Sequence, residues 1–323
     1  MKGFIKYILI ACSIALSVPA IAQIPKAGSA RNYFNEPEIA HKADSVLKLM
    51  TLDEKIGQLV LFAGKGTVTG PTESKNTEEY IKDGYCGGVF NVKTVDETMR
   101  LQKLAVENSR LGIPMLFGFD VIHGFKTIFP VNIGISCSWD MPAIENFARI
   151  SAAEASAVGV NWTFSPMCDI SHDPRWGRVS EGSGEDPYLG AAISVAMVRG
   201  YQGNNLSDHN TVMSCVKHFA AYGAGQAGRD YHTVDMSERM FRDIYLPPYQ
   251  AGIDAGAATV MTSFNDFDGV PASANKFLME DLLRKEMGFN GFVVTDYTAI
   301  LELIPHGVAR DGKQAAELAL NAG

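Results

Sequence analysis

The sequence predicts an α/β protein: a (β/α)8 TIM-like barrel that stops before its eighth strand. Three observations predict it. Seven short apolar runs alternate with helical stretches, the pattern of parallel strands joined by crossover helices. Runs such as Gly291-Phe292-Val293-Val294 are apolar at consecutive rather than alternate positions, as strands buried on both faces are. No G-x-G-x-x-G follows an early run, which disfavours an open dinucleotide-binding sheet.

Residues 1–22 read as a signal peptide. Lys2 and Lys6 form a charged n-region, an apolar stretch runs from Tyr7 to Val18, and Ala20-Ile21-Ala22 is an A-x-A cleavage site. Pro19 closes an apolar run too short to span a bilayer, so the reading is export to the periplasm or beyond, without membrane insertion after cleavage. Leu9-Ile10-Ala11-Cys12 resembles a lipobox, but little apolar sequence precedes Cys12, so a lipoprotein is the lesser alternative. Residues 23–38 form a polar leader with Pro25, Gly28 and Pro37, and residues 39–323 form the barrel domain.

The barrel region opens with a helix over 39–50 and a second helix started by the capping box Thr51 to Glu54. The strand candidates are 56–63, 87–92, 114–120, 160–169, 211–219, 259–265 and 291–297. Ala-rich stretches at 142–158 and 187–202 carry helix-period apolar positions, and 311–321 reads as the helix after the seventh strand. A closed barrel needs roughly ten further residues, so the chain reads as an incomplete barrel.

Charge and cysteine content narrow the partners. Without residues 1–22 the chain carries 26 Lys and Arg against 36 Asp and Glu. Nucleic acid, whose phosphates demand clustered cations, is therefore not a predicted partner. Cys86, Cys137, Cys168 and Cys215 form no C-x-x-C pair, so no metal site is predicted. A Cys168–Cys215 disulfide stays open at this stage.

Polar groups gather where the strands end: Asp120 and His123, Asp169, Lys217 and His218, Asn265 and Asp266, then Asp296. Parallel α/β folds place their chemistry at these ends. The Gly-rich, charged segment 174–187 suits a loop over the mouth. Many acids with Arg, Lys, His and Trp, without a phosphate loop or metal spacing, suit a polyhydroxylated ligand, because each sugar hydroxyl both donates and accepts. Trp176 or Tyr297 is placed to stack on a pyranose ring. Arg175 is expected to brace the loop by pairing with Glu181 or Glu185, His123 and His232 to be structural, and Trp162 to lie in the core.

Five segments carry a specific resemblance: FGFDVIHGFKTIFP (117–130), DPRWGRVSEGSGEDPYL (173–189), KHFAAYGAGQAGRDYHTVDMSER (217–239), FNDFDGVPAS (264–273) and GFNGFVVTDY (288–297). In order and spacing they resemble the N-terminal barrel of glycoside hydrolase family 3, in particular its bacterial periplasmic β-glucosidases. The resemblance implies a retaining exo-β-glycosidase that removes terminal β-D-glucosyl residues from a β-linked oligosaccharide or glucoside, with no cofactor. Asp296 is then the nucleophile that forms a covalent glycosyl-enzyme. Asp120, Arg178, Lys217, His218 and Arg229 hold ring hydroxyls, and Tyr297 lines the substrate site.

Two departures from the family pattern bear on substrate choice. Thr295-Asp296-Tyr297 stands where Ser-Asp-Trp is usual, and Phe264 replaces a Tyr often found near the nucleophile. The resemblance also implies that the general acid is a Glu on a separate α/β-sandwich domain, to which nothing in this chain corresponds. Three alternatives remain: a β-N-acetylglucosaminidase, against which the lack of a KHFPGHG-type segment argues, a β-xylosidase, or a non-catalytic glycan-binding barrel.

Overall fold

The protein is represented by a computed structural model that describes residues 36–64 and 77–323. The expected signal peptide and nearly all of the expected polar leader lie outside the described residues. Helix α1 (Pro37–Leu47) leads into α2 (Leu52–Gly57), which starts on the predicted capping box. Thr51 Oγ1 accepts from the Glu54 N–H at 3.2 Å, and Glu54 Oε2 accepts from the Thr51 N–H at 2.8 Å. Helix therefore claims the first residues of the 56–63 run, and strand β1 is only Leu61–Ala63.

The chain continues through α3 (Thr77–Lys82), β2 (Gly88–Phe90), α4 (Val95–Asn108) and β3 (Leu116–Phe119). Next come α5 (Asn132–Ser136), α6 (Met141–Ser156), β4 (Trp162–Thr163) and α7 (Pro187–Gln202). The long helices α6 and α7 share one start signal. An Asp caps the first turn and Pro stands in it, with Asp140 accepting from the Ala143 N–H at 3.0 Å and Asp186 from the Leu189 N–H at 2.6 Å. Then follow β5 (Cys215–Phe219), α8 (Pro247–Asp254), β6 (Thr259–Thr262), the π-type helix α9 (Phe277–Glu286), β7 (Phe292–Thr295), α10 (Ala299–Glu302) and α11 (Gly312–Ala322).

These seven strands run parallel, and a separate two-residue antiparallel hairpin pairs Asp266–Phe267 with Val270–Pro271. β1 to β4 pair in sequence, β5 pairs with β6 and β6 with β7, and parallel bridges Trp162↔Met213 and Met167↔Lys217 join the two groups. The row therefore follows chain order, as the barrel reading requires. Its interior is filled by one apolar cluster drawn from every strand or its entry: Leu61, Phe90, Leu116, Trp162, Cys215, Met261 and Phe292 among others. This is a packed plug, so ligands are confined to the mouth. Trp162 lies in that core, and its indole N–H donates to Thr259 Oγ1 at 2.9 Å. β1 and β7 stand at the ends of the row, half-exposed, and are not hydrogen-bonded to each other among the described residues.

Close packing of the helical layer depends on Gly252 in α8. A Cβ there would come within 2.6 Å of Ser194 Oγ and Val216 Cγ1, so a side chain would push α8 off α7 and β5. Cys168 and Cys215 are buried free thiols, which closes the disulfide question in this structure. Among the described residues no helix is long and apolar enough to cross a membrane.

Candidate active site

The carboxyl ends of β3, β5 and β7 and the segment after β4 meet around a small polar cluster, and β5 supplies its floor. Lys217 and His218 occupy the middle of that fully buried strand, with 3% and 0% exposure. Lys217 Nζ donates to Asp120 Oδ1 at 2.7 Å, and Asp120, at the end of β3, keeps a side chain that is 46% exposed. Burial works against the Lys217 ammonium, but the Asp120 and Asp296 carboxylates offset it and hold its pKa above the ordinary lysine value. A cation is thus fixed beside two acids, one of them facing solvent.

His218 links two carboxylates. Its Nδ1 is 2.9 Å from Asp169 Oδ2, and its Nε2 is 3.3 Å from Asp296 Oδ2 without a hydrogen bond. Burial, and then the Arg178 charge, push the His218 pKa well below the usual histidine range, so the ring is neutral. With Nδ1–H donated to Asp169, Nε2 presents a lone pair to the site, ready to accept from a hydroxyl. Asp296 follows β7 directly, and its Oδ1 accepts from the Tyr297 N–H at 2.6 Å. Its side chain is 16% exposed, enough for a ligand to reach.

Asp169 is the anchor beneath His218. It is 2% exposed and accepts from both the His218 Nδ1–H and the His218 backbone N–H, while Tyr249 Oη lies 2.8 Å from its other oxygen. Burial, partly opposed by those hydrogen bonds, raises its pKa to about 6. Tyr249 Oη is also 2.6 Å from the His218 carbonyl. One phenol proton serves one of these acceptors at a time, so a protonated Asp169 can donate to Tyr249, which then donates to the carbonyl.

The loop after β4 forms a second wall. Arg178 makes a two-pronged pair with Glu181, both contacts at 2.8 Å, and its guanidinium lies 5.5 Å from the centre of the Tyr222 ring. Tyr222 stands edge-on to His218 at 5.1 Å and to Trp176 at 5.2 Å, which ties the loop to the floor. Trp176 is only 2% exposed and donates to Asp230 Oδ1 at 2.9 Å. Its indole is therefore consumed in bracing and offers no face for a sugar. Arg175 does not pair with Glu181 or Glu185: it folds back on Asp173, two residues away, because Glu181 is already held by Arg178.

Asp120, Lys217, His218 and Asp296 are brought together as one cluster, with Arg178 one ring away. Tyr297, next to Asp296, stands edge-on to Phe90 of β2 at 5.8 Å. Arg229 is exposed on the 225–234 loop, and among the described hydrogen bonds and ion pairs its guanidinium meets none of that cluster. His123 Nδ1 contacts the Phe129 carbonyl and His232 Nδ1 accepts from the Thr233 N–H, both local roles.

Glu302 was not singled out from sequence. It ends α10, whose first turn is joined to the Asp296 loop by the Ala299 N–H donating to the Asp296 carbonyl at 3.1 Å. Burial and then the Asp296 charge raise its pKa, and Thr298 Oγ1 lies 3.4 Å from Oε1. In sequence it looks like any solvated helix glutamate.

Residues 51–323 match the glycosyl hydrolase family 3 N terminal domain. The chain is 45% identical over 319 residues to a periplasmic beta-glucosidase of Salmonella typhimurium, covering 97% of this chain and 40% of that protein. It is 36% identical over 267 residues to a beta-xylosidase of Formosa agariphila, covering 78% of this chain and 37% of that one. The crystal structure of a beta-glucosidase from Listeria innocua in complex with isofagomine superposes with a TM-score of 0.83 at 45% identity, over 88% of this chain and 40% of that one. The chain thus spans about two fifths of the length of these relatives.

Proposed function

The chain belongs to glycosyl hydrolase family 3, and from that premise we propose that it carries the nucleophile and the deep sugar subsite of a retaining, exo-acting β-glycosidase of the β-glucosidase type. The observation that carries the reading is the placement of Asp296. It is a reachable carboxylate 3.3 Å from a neutral His218 and within the field of a buried Lys217 that pairs with Asp120.

In this reading Asp296 attacks the anomeric carbon from the face opposite the leaving group. A glycosyl-enzyme ester forms, and water then displaces it with net retention. Asp120 and Lys217 hold adjacent hydroxyls of the terminal sugar, one as acceptor and one as donor, and His218 Nε2 accepts from another. Arg178, paired with Glu181, supplies fixed positive potential without needing to move. In this reading Asp120, Lys217 and His218 hold one terminal residue, and the exo action is what the family resemblance implies.

Protonation of the leaving oxygen needs a second carboxyl. The family resemblance assigns it to a separate domain. Glu302, whose carboxyl is raised by burial and then by the Asp296 charge, is a second carboxyl within the barrel that is a candidate for the same task. The names of the relatives and the leader-like residues 1–22 favour export to the periplasm.

The test is product stereochemistry. Hydrolysis of 4-nitrophenyl β-D-glucoside followed by proton NMR should release β-glucose first, and Asp296→Ala with azide should form α-glucosyl azide. Release of α-glucose first, or unchanged turnover by Asp296→Ala, would overturn the reading.

A further inference from the structure

Tyr231 is a large aromatic residue at the mouth with no part in the chemistry above. Its ring lies 4.2 Å from that of Phe264 at a tilt of 32°, and edge-on to Tyr222 at 6.1 Å. The residue is nevertheless 43% exposed, so one ring face rests on Phe264 and surface remains for a ligand. Its position is built. The Thr233 hydroxyl donates to Asp266 Oδ2 at 2.8 Å, the Val234 N–H to the Asp266 carbonyl at 3.1 Å, and the Trp176 indole to Asp230 at 2.9 Å. Tyr231 also has φ +62, a left-handed backbone that residues with side chains adopt reluctantly, which places the ring over Phe264. Burial, and then the Glu302 and Asp296 carboxylates, push its hydroxyl up to about 12, so it stays a neutral phenol beside the nucleophile.

Depth decides which part of a substrate meets this ring. Lys217 and His218 lie on the floor at 3% and 0% exposure, whereas Tyr231 is on the rim. Attack by Asp296 also requires the leaving group to point away from that carboxylate, outward from the strand ends. We propose that Tyr231 is the platform on which the leaving-group moiety stacks, a specificity determinant for aglycones with a flat apolar face. An aryl group or the apolar face of a second pyranose has that shape. The inference rests on the glycosidase reading and adds the aglycone side of the same site.

The test needs binding only. Calorimetry with phenyl and methyl 1-thio-β-D-glucoside, which differ only in aglycone, is run on the wild type, Tyr231→Phe and Tyr231→Gly, the last suited to the left-handed backbone. The wild type and Tyr231→Phe should bind the phenyl compound about tenfold more tightly than the methyl one. Tyr231→Gly should lose that preference and keep its methyl-glucoside affinity. A preference that survives in Tyr231→Gly, or an equal loss for both ligands, would overturn the platform alone. Failure of the wild type to bind either glucoside would overturn the glycosidase reading and the platform with it.

Discussion

Replacing Asp169 by Asn should make the protein more stable at neutral pH while weakening its chemistry. A folded pKa of about 6 against an ordinary 3.8 means that the folded state holds the proton more tightly. Asp169 therefore contributes stability that is fully present below about pH 4 and lost as the pH rises through 6. The difference corresponds to about 3 kcal/mol. Asn copies the protonated acid. Its carbonyl can accept from the His218 Nδ1–H and backbone N–H, and its amide can donate to Tyr249 Oη, which then donates to the His218 carbonyl. Urea titrations at pH 4, 5, 6 and 7 should give nearly equal stabilities for Asp and Asn at pH 4. The Asn advantage should grow to about 3 kcal/mol at pH 7. Asp169→Ala leaves two buried donors without a partner and should cost about 3 kcal/mol or more even at pH 4. Parallel pH profiles for Asp and Asn, or an Asn variant as damaged as Ala, would refute the reasoning. The charge that Asn lacks steadies His218 opposite Asp296, so the stabilised variant should turn over more slowly.

Glu302→Gln should slow hydrolysis of alkyl β-glucosides by roughly 10²–10⁴-fold and leave the first-turnover release of 2,4-dinitrophenolate untouched, since that leaving group departs unprotonated; equal rates on alkyl substrates would return the acid to a separate domain. Asp120→Ala should raise the Kd for methyl 1-thio-β-D-glucoside by roughly 10–100-fold, the worth of one charge-assisted hydrogen bond, with an unchanged circular dichroism spectrum. Unchanged affinity would remove Asp120 from the site. The Arg110 pairing and the Thr51 N–H hold the Glu54 carboxyl down at about 2, so its contribution is present above about pH 4.5 and lost as the pH falls toward 2. Glu54→Gln should flatten the acid limb of the stability profile, and an unaltered limb would contradict that assignment.

The order of elements was legible because consecutive apolar residues and helix-period stretches alternate along the chain, and all seven strands appear where apolar runs stand. Strand lengths were not legible. The 160–169 run contains only Trp162–Thr163 as strand. Ser165 to Asp169 continue beside β5 through irregular backbone pairing, with the Cys215 N–H donating to the Ser165 carbonyl at 2.9 Å, and bring Asp169 under His218. Asp120, Lys217, His218 and Asp296 were readable as polar interruptions of apolar strands. Trp176 misled because a tryptophan in a polar loop looks like a sugar platform, and only the Asp230 contact reveals it as a brace. Tyr231 was invisible because its ring rests on Phe264, far along the chain, and Glu302 because burial of a short-helix glutamate leaves no mark in the sequence.

The central claim is that Asp296 forms a covalent bond to the sugar. The most direct measurement incubates the folded protein with 2,4-dinitrophenyl 2-deoxy-2-fluoro-β-D-glucoside and maps the adduct by intact-mass and peptide mass spectrometry. The fluorine slows turnover of the intermediate, and dinitrophenolate leaves without an acid, so the nucleophile is tested alone. The account predicts a single fluoroglucosyl group on the peptide holding Asp296, absent from Asp296→Ala. An adduct on another carboxylate, or an unlabelled protein that still binds methyl 1-thio-β-D-glucoside, would contradict it.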